Sequence, residues 1–204
     1  MDTADHESKS SQRPHSIHKA FLALKDQADN GSADAQFQIG CFYEDWKNIQ
    51  HSYELAFHYY KLAADQGHPN AQTCLAMLFD DGLGVKQDSE QAFHYYILAS
   101  EQKWPSAVAQ LGKFYEEGKG GSEKSPKEAI RHYQMAAEMG ALVAWRYLAE
   151  AYQRGIGVDK SEEKVRFCQR KTFLLKKKKQ IEGIQIFRPP LDGFLKKEKG
   201  LKNQ

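Results

Sequence analysis

Two histidines, His58 and His94, stand 36 residues apart, each inside the tetrapeptide Phe-His-Tyr-Tyr. Paired imidazoles are half of a zinc site. If each tetrapeptide lies on one helix of a stack, neighbouring layers sit about 10 Å apart, too far for both rings to reach one ion. With no third ligand in the pattern, these are read as surface histidines beside buried tyrosines, and no metal or cofactor is expected. Adjacent acids occur at Asp80/Asp81 and Glu116/Glu117. Neighbouring helical residues do not face one another, so the pairs are read as a solvated ridge and not as a general acid/base couple. The segments Gly82-Leu83-Gly84 and Gly155-Ile156-Gly157 lack the preceding strand and third glycine of a phosphate cradle, and are read as helix stops. The three cysteines, Cys41, Cys74 and Cys168, have no CxxC spacing. Their odd number argues for a reducing compartment and against a disulfide framework, and no strain-free bridge is expected between Cys41 and Cys74. No nucleophile–base set stands out, so no catalytic residue is assigned.

The elements carrying these residues recur at a fixed period. Ala35, Ala71, Ala107 and Ala144 open similar segments at spacings of 36, 36 and 37. The extra residue falls in the loop Gly118-Lys119-Gly120-Gly121, where insertion is tolerated. Behind each opening, Ile39/Phe42/Tyr43, Leu75/Leu78/Phe79 and Leu111/Phe114/Tyr115 keep i, i+3, i+4 spacing, which predicts a helix with one apolar stripe. A second helix follows, with Ala56/Tyr60/Ala63 matched by Ala92/Tyr96/Ala99 and then by Ala129, Tyr133 and Ala136. Asp88, Ser125 and Ser161 precede the second helices as N-caps. Neither helix can bury its rings alone, whereas stacked copies bury them together.

These residues resemble Sel1-like repeats, a branch of the tetratricopeptide-type α-solenoids. The second copy carries Ala71, Leu75-Ala76, Phe79, Gly82-Leu83-Gly84-Val85, Ala92, Tyr95-Tyr96 and Ala99. The first copy departs from the pattern, with Trp46 and Asn48 at the glycine positions, and the second helix of the fourth decays to Val165, Cys168, Gln169 and Thr172. The expected fold is all-α: a superhelical solenoid of four helix–turn–helix repeats over 34–69, 70–105, 106–142 and 143–170. A capping helix over 16–30 precedes it, disorder covers 1–15, and a partly disordered basic tail covers 171–204.

Charge divides along the chain. Residues 1–159 carry 15 Lys/Arg and 22 Asp/Glu, whereas 160–204 carry 14 and 5. No apolar run is long enough to span a membrane, and the polar opening has no secretory h-region. The chain is therefore expected inside the cell, in the cytoplasm, or in the nucleus through its basic tail, as a monomer. The resemblance implies a non-catalytic adaptor that binds another protein or peptide along the concave face lined by first helices. The positions off the core stripe there are Gln38, Cys41 and Asp45; Cys74, Met77 and Asp81; Gln110, Lys113 and Glu117; and Tyr147, Glu150 and Arg154. An alternative is that Lys176–Lys179 bind nucleic acid or anionic lipid. A more remote one is hydrolysis, as proposed for secreted cysteine-rich relatives, whose paired cysteines this chain lacks.

Overall fold

The computed structural model describes residues 8–45 and 52–181. It is all-helical there: α1 (Ser8–Asp29), α2 (Ala33–Asp45), α3 (Tyr53–Asp65), α4 (Pro69–Asp81), α5 (Ser89–Glu101), α6 (Pro105–Glu117), α7 (Pro126–Glu138), α8 (Leu142–Arg154) and α9 (Glu162–Ile181). Seven consecutive helices, α2 to α8, are each 13 residues long. Each packs on the helix before it and the helix after it, as in a solenoid, and α6 also touches α8. The layers are α2/α3, α4/α5, α6/α7 and α8/α9, with α1 covering the free side of α2.

The boundaries follow local chemistry. Ser52, Asp88 and Ser125 accept hydrogen bonds from backbone amides in the first turns of α3, α5 and α7, and Ser161 does the same from Lys164. Gly82 closes α4 in the left-handed region, at φ 69°. Gly84 does something the sequence reading missed. A Cβ there would collide with the backbone of Tyr53, at the start of the preceding layer's second helix. Gly120 and Gly157 approach Ser89 and Pro126 in the same way. The first glycine therefore stops a helix, and the second lets the loop lie directly against the layer below. Trp46 and Asn48, the first copy's counterparts, lie outside the described residues.

The core is a column of tyrosines. Tyr60, Tyr96 and Tyr133 are 0, 2 and 0 % exposed, each surrounded by alanines and leucines of its own layer and the next. Gly40 and Gly112 face two of these rings, and a Cβ on Gly40 would stand 2.5 Å from Tyr60 Cδ1. Between the first layers runs a ladder of amides. Gln36 donates to the Ala28 carbonyl and accepts from Gln66 at 2.7 Å; one layer on, Gln72 donates to Ala64 and accepts from Gln102 at 2.8 Å. The next rung is apolar on both sides, Val108 beside Met139 in one hydrophobic cluster. Exchanging both partners together leaves no buried amide unsatisfied.

Both ends depart from the expected boundaries. α1 begins at Ser8, eight residues before the expected start of the cap, so helix occupies part of the stretch read as disordered. α9 runs to Ile181, eleven residues past the expected end of the repeats, so the first part of the supposed tail is helical. Leu-Leu followed by four lysines and a glutamine is a run of good helix formers with no glycine to turn it. The remainder of the tail and residues 1–7 lie outside the described residues.

Candidate protein-binding face

The proposed surface is built on the first helices, α2, α4, α6 and α8. Their apolar stripes turn toward the tyrosine column; of the strip residues, Cys41, Cys74 and Tyr147 also pack on that column. Gln38, Cys41, Cys74, Gln110 and Tyr147 are half-buried on these strips, whereas Met77, Lys113 and Glu150 are exposed. Neighbouring strips are tied across layers: the Tyr147 hydroxyl donates to Gln110 Oε1 at 3.2 Å, and Arg154 lies 3.8 Å from Glu116. Tyr147 also packs its ring 5.1 Å from Tyr133. It is thus part of the floor as well as the strip. Lys113 and Glu117 stand 3.8 Å apart, and Glu150 accepts from Arg154 at 3.0 Å. Asp45 closes α2.

The structure corrects the reading of the acid pairs. The first member of each is not on a solvated ridge. Glu116 accepts from the Tyr133 hydroxyl at 2.9 Å, and Asp80 is half-buried in an ion pair with Lys119. Asp81 and Glu117, the second members, are exposed. Glu44 holds the equivalent place in the first layer and accepts a hydrogen bond from Tyr60. A sequence signal for this exists: each inward acid precedes its layer's tyrosine by 16 or 17 residues. Glu44 and Glu116 thus anchor phenol groups under the strips, whereas Asp80 ties its layer to Lys119 of the next.

Cys41 and Cys74 meet at the same phenol. The Tyr60 hydroxyl lies 3.4 Å from Cys41 Sγ. Burial, followed by the nearby Cys41 and Glu44, pushes the Cys74 thiol above the ordinary thiol range. Burial likewise pushes Tyr60, Tyr96 and Tyr133 well above the ordinary phenol range, with Cys74 the next cause at Tyr60, Asp80 at Tyr96 and the Glu116 hydrogen bond at Tyr133. These groups stay neutral, so they form a floor and supply no nucleophile. None of the three cysteines is in a disulfide.

His58 and His94 are exposed, with their rings edge-on to Tyr59 and Tyr95 at 5.2 and 5.5 Å. No group of three or more His, Cys, Asp or Glu among the described residues is arranged to hold a metal ion. No helix among them is long and apolar enough to cross a membrane. At the C-terminal end, α8 and α9 flank a cleft of about 740 Å³ that includes Glu150 and Arg154. Sequence reasoning missed this feature, because it depends on the distance between α8 and α9.

The Sel1 repeat family model matches residues 33–68, 69–104, 105–140 and 146–164, more than half of the chain. A Sel1 repeat protein from Oxalobacter formigenes is similar in structure at a TM-score of 0.70 and 29% identity, covering 76% of this chain and 61% of that one. A protective antigen of uropathogenic Escherichia coli displaying an SLR fold gives a TM-score of 0.58 and 26% identity, covering 76% and 40%. This chain thus spans about three fifths of the first relative and two fifths of the second. Helicobacter pylori cysteine rich protein B, 22% identical with a TM-score of 0.50 over 65% of this chain and 94% of that one, supports the fold. No curated protein matches by sequence. Sel1-repeat proteins are generally protein-interaction scaffolds and typically not catalysts. With three full copies matched at a 36-residue spacing, a partial fourth and a tyrosine column that repeats through the three, the chain belongs to the Sel1 repeat family.

Proposed function

We propose that the α2–α4–α6–α8 face is the concave flank of the solenoid, and that the protein is a non-catalytic adaptor holding one protein or peptide along it. The observation that carries this reading is Met77. It remains 40% exposed in the middle of the row, between half-buried Cys74 and Gln110, while the tyrosines behind it are sealed. A flexible thioether flanked by amides on a rigid floor adapts to varied side chains. The half-buried Tyr60–Glu44 and Tyr133–Glu116 hydrogen bonds fix that floor before any partner arrives, which lowers the ordering cost of binding. Cysteines at 41 and 74 outside any disulfide suit a reducing, intracellular setting.

The test is the triple substitution Gln38→Ala, Met77→Ala and Lys113→Ala in the full chain. A partner identified by affinity capture and mass spectrometry should bind it about tenfold or more weakly, with far-UV circular dichroism unchanged. Unchanged affinity would remove this face from consideration.

A further inference from the structure

The C-terminal end of the stack has the form of a helix seat, and its position is fixed by the repeat itself. In the first layer, Tyr60, Ala63 and Ala64 are covered by Ala71, Leu75 and Leu78 of α4. In the second, Tyr96 and Ala99 are covered by Ala107, Leu111 and Phe114 of α6. In the third, Tyr133, Ala136 and Ala137 are covered by Ala144, Leu148 and Ala151 of α8. Each covering helix presents a small residue, then an apolar residue four and seven positions later. In the fourth layer the equivalent seat is lined by Gln169, Thr172 and Phe173, and it coincides with the cleft of about 740 Å³ between α8 and α9. Phe173 is 64% exposed on its rim.

Charge says what kind of helix fits. The cleft is lined by Arg146, Arg154 and Lys176, with Glu150 as its one acid. Glu150 already accepts from Arg154. Arg146 lies over the ring of Tyr147, and neither it nor Lys176 has an ion pair among the described residues. α9 itself carries eight Lys/Arg and two Asp/Glu. The layer junctions of this protein already join cations to carboxylates, through Lys119 with Asp80 and Arg154 with Glu116. The chain beyond α9 matches the cleft poorly in charge, since residues 182–204 hold five Lys/Arg and three Asp/Glu.

We infer that the α8–α9 cleft docks an acidic amphipathic helix of a partner protein, seated end-on where a fifth repeat would begin. The stripe of the guest supplies a small residue and two apolar residues for Phe173 and the α8–α9 seam. Its carboxylates meet Arg146 and Lys176. This surface shares Glu150 and Arg154 with the α8 strip but contains none of Gln38, Met77 and Lys113, so the two assignments are tested by different residues.

The probe is a synthetic peptide of the Pro69–Asp81 sequence carrying Asn70→Glu, Cys74→Glu and Met77→Glu. Its counterpart has lysine at the same three positions. Binding of each to the full chain is followed by fluorescence anisotropy. The glutamate peptide should bind about tenfold tighter than the lysine peptide, and Arg146→Glu with Lys176→Glu in the chain should reverse the preference, the scale expected of two partly exposed charge pairs. The triple variant at Gln38, Met77 and Lys113 should leave that binding unchanged. Equal binding of the two peptides, or no binding of either, would overturn the inference. So would a requirement to delete residues 182–204 before the peptide binds, which would make the tail the occupant. Self-association abolished by the two charge reversals would make it a second copy. Phosphatidylserine vesicles that bind the chain through these same cations and exclude the peptide would make it a membrane.

Discussion

The α4/α5 and α8/α9 layers share a helix pair, a capping scheme and a register, yet one is sealed and the other is open. In α5, Tyr96 and Ala99 are 2 and 0 % exposed because α6 lies over them. In α9, Gln169 is exposed, Thr172 is half-buried and Phe173 is 64% exposed, with no tenth helix among the described residues to cover them. The sequence changes with the environment. A tyrosine is favourable where a following helix shelters its ring, as α6 shelters Tyr96; in α9 an exposed amide, Gln169, takes its place. The terminal unit of a stack exchanges packing residues for solvated ones, and that exchange leaves a shaped groove.

The contrast is easiest to break at the tyrosine position. Tyr96→Ala should cost about 3–5 kcal/mol of unfolding free energy in a urea titration, the range for deleting a buried aromatic. Gln169→Ala should stay within about 0.5 kcal/mol, as for an exposed site. Equal costs would mean that the two layers are covered alike.

Alkaline titration sharpens the same contrast. Tyr60, Tyr96 and Tyr133 have folded-state pKa values raised by burial above the ordinary 10.0. Above that value the unfolded chain releases protons that the native chain keeps. Stability from these phenols is therefore complete below about pH 10 and is lost as pH rises, by about 1.4 kcal/mol per pH unit for each phenol held neutral. Absorbance at 295 nm should show these three phenols ionising only as helicity collapses. A single titration of all tyrosines near pH 10 with the helices intact would contradict the sealed column.

The smallest effect concerns the turn that leads into each next layer. Gly31, Gly67 and Gly140 hold positive φ there, and Lys103 does so at 58°. A side chain in that region costs about 1–2 kcal/mol, part of which glycine returns through its own chain entropy. Lys103→Gly should stabilise the protein by about 0.5–1 kcal/mol, read as a shift in the denaturant midpoint at unchanged slope. A loss of stability would show that the lysine side chain contributes more than its backbone strain removes.

Repetition made the tyrosine column legible in the sequence. Tyr60, Tyr96 and Tyr133 recur at one helical phase with alanines at fixed offsets, so a packing role is the common explanation. The inward acids were harder to see. Asp80 and Asp81 are chemically alike and about 100° apart around one helix, so only the placement of groups distant in the chain, such as Lys119, decides which turns in. The amide ladder from Gln36 to Gln102 was equally hidden, because each bond crosses between elements 30 residues apart. The strip residues could be placed by spacing alone, but not the tie from Tyr147 to Gln110, which needs two layers at their actual separation.

The amino-acid order by itself determined the period, the helical character, the caps and the identity of the core. These depend on local propensity and on patterns that recur every 36 or 37 residues. The tertiary structure alone decided which of two adjacent acids turns inward, why the second loop glycine is required against the layer below, and that α8 and α9 flank a basic cleft among the described residues. Each of those depends on the distance between elements far apart in the chain, and a one-dimensional pattern does not contain that distance.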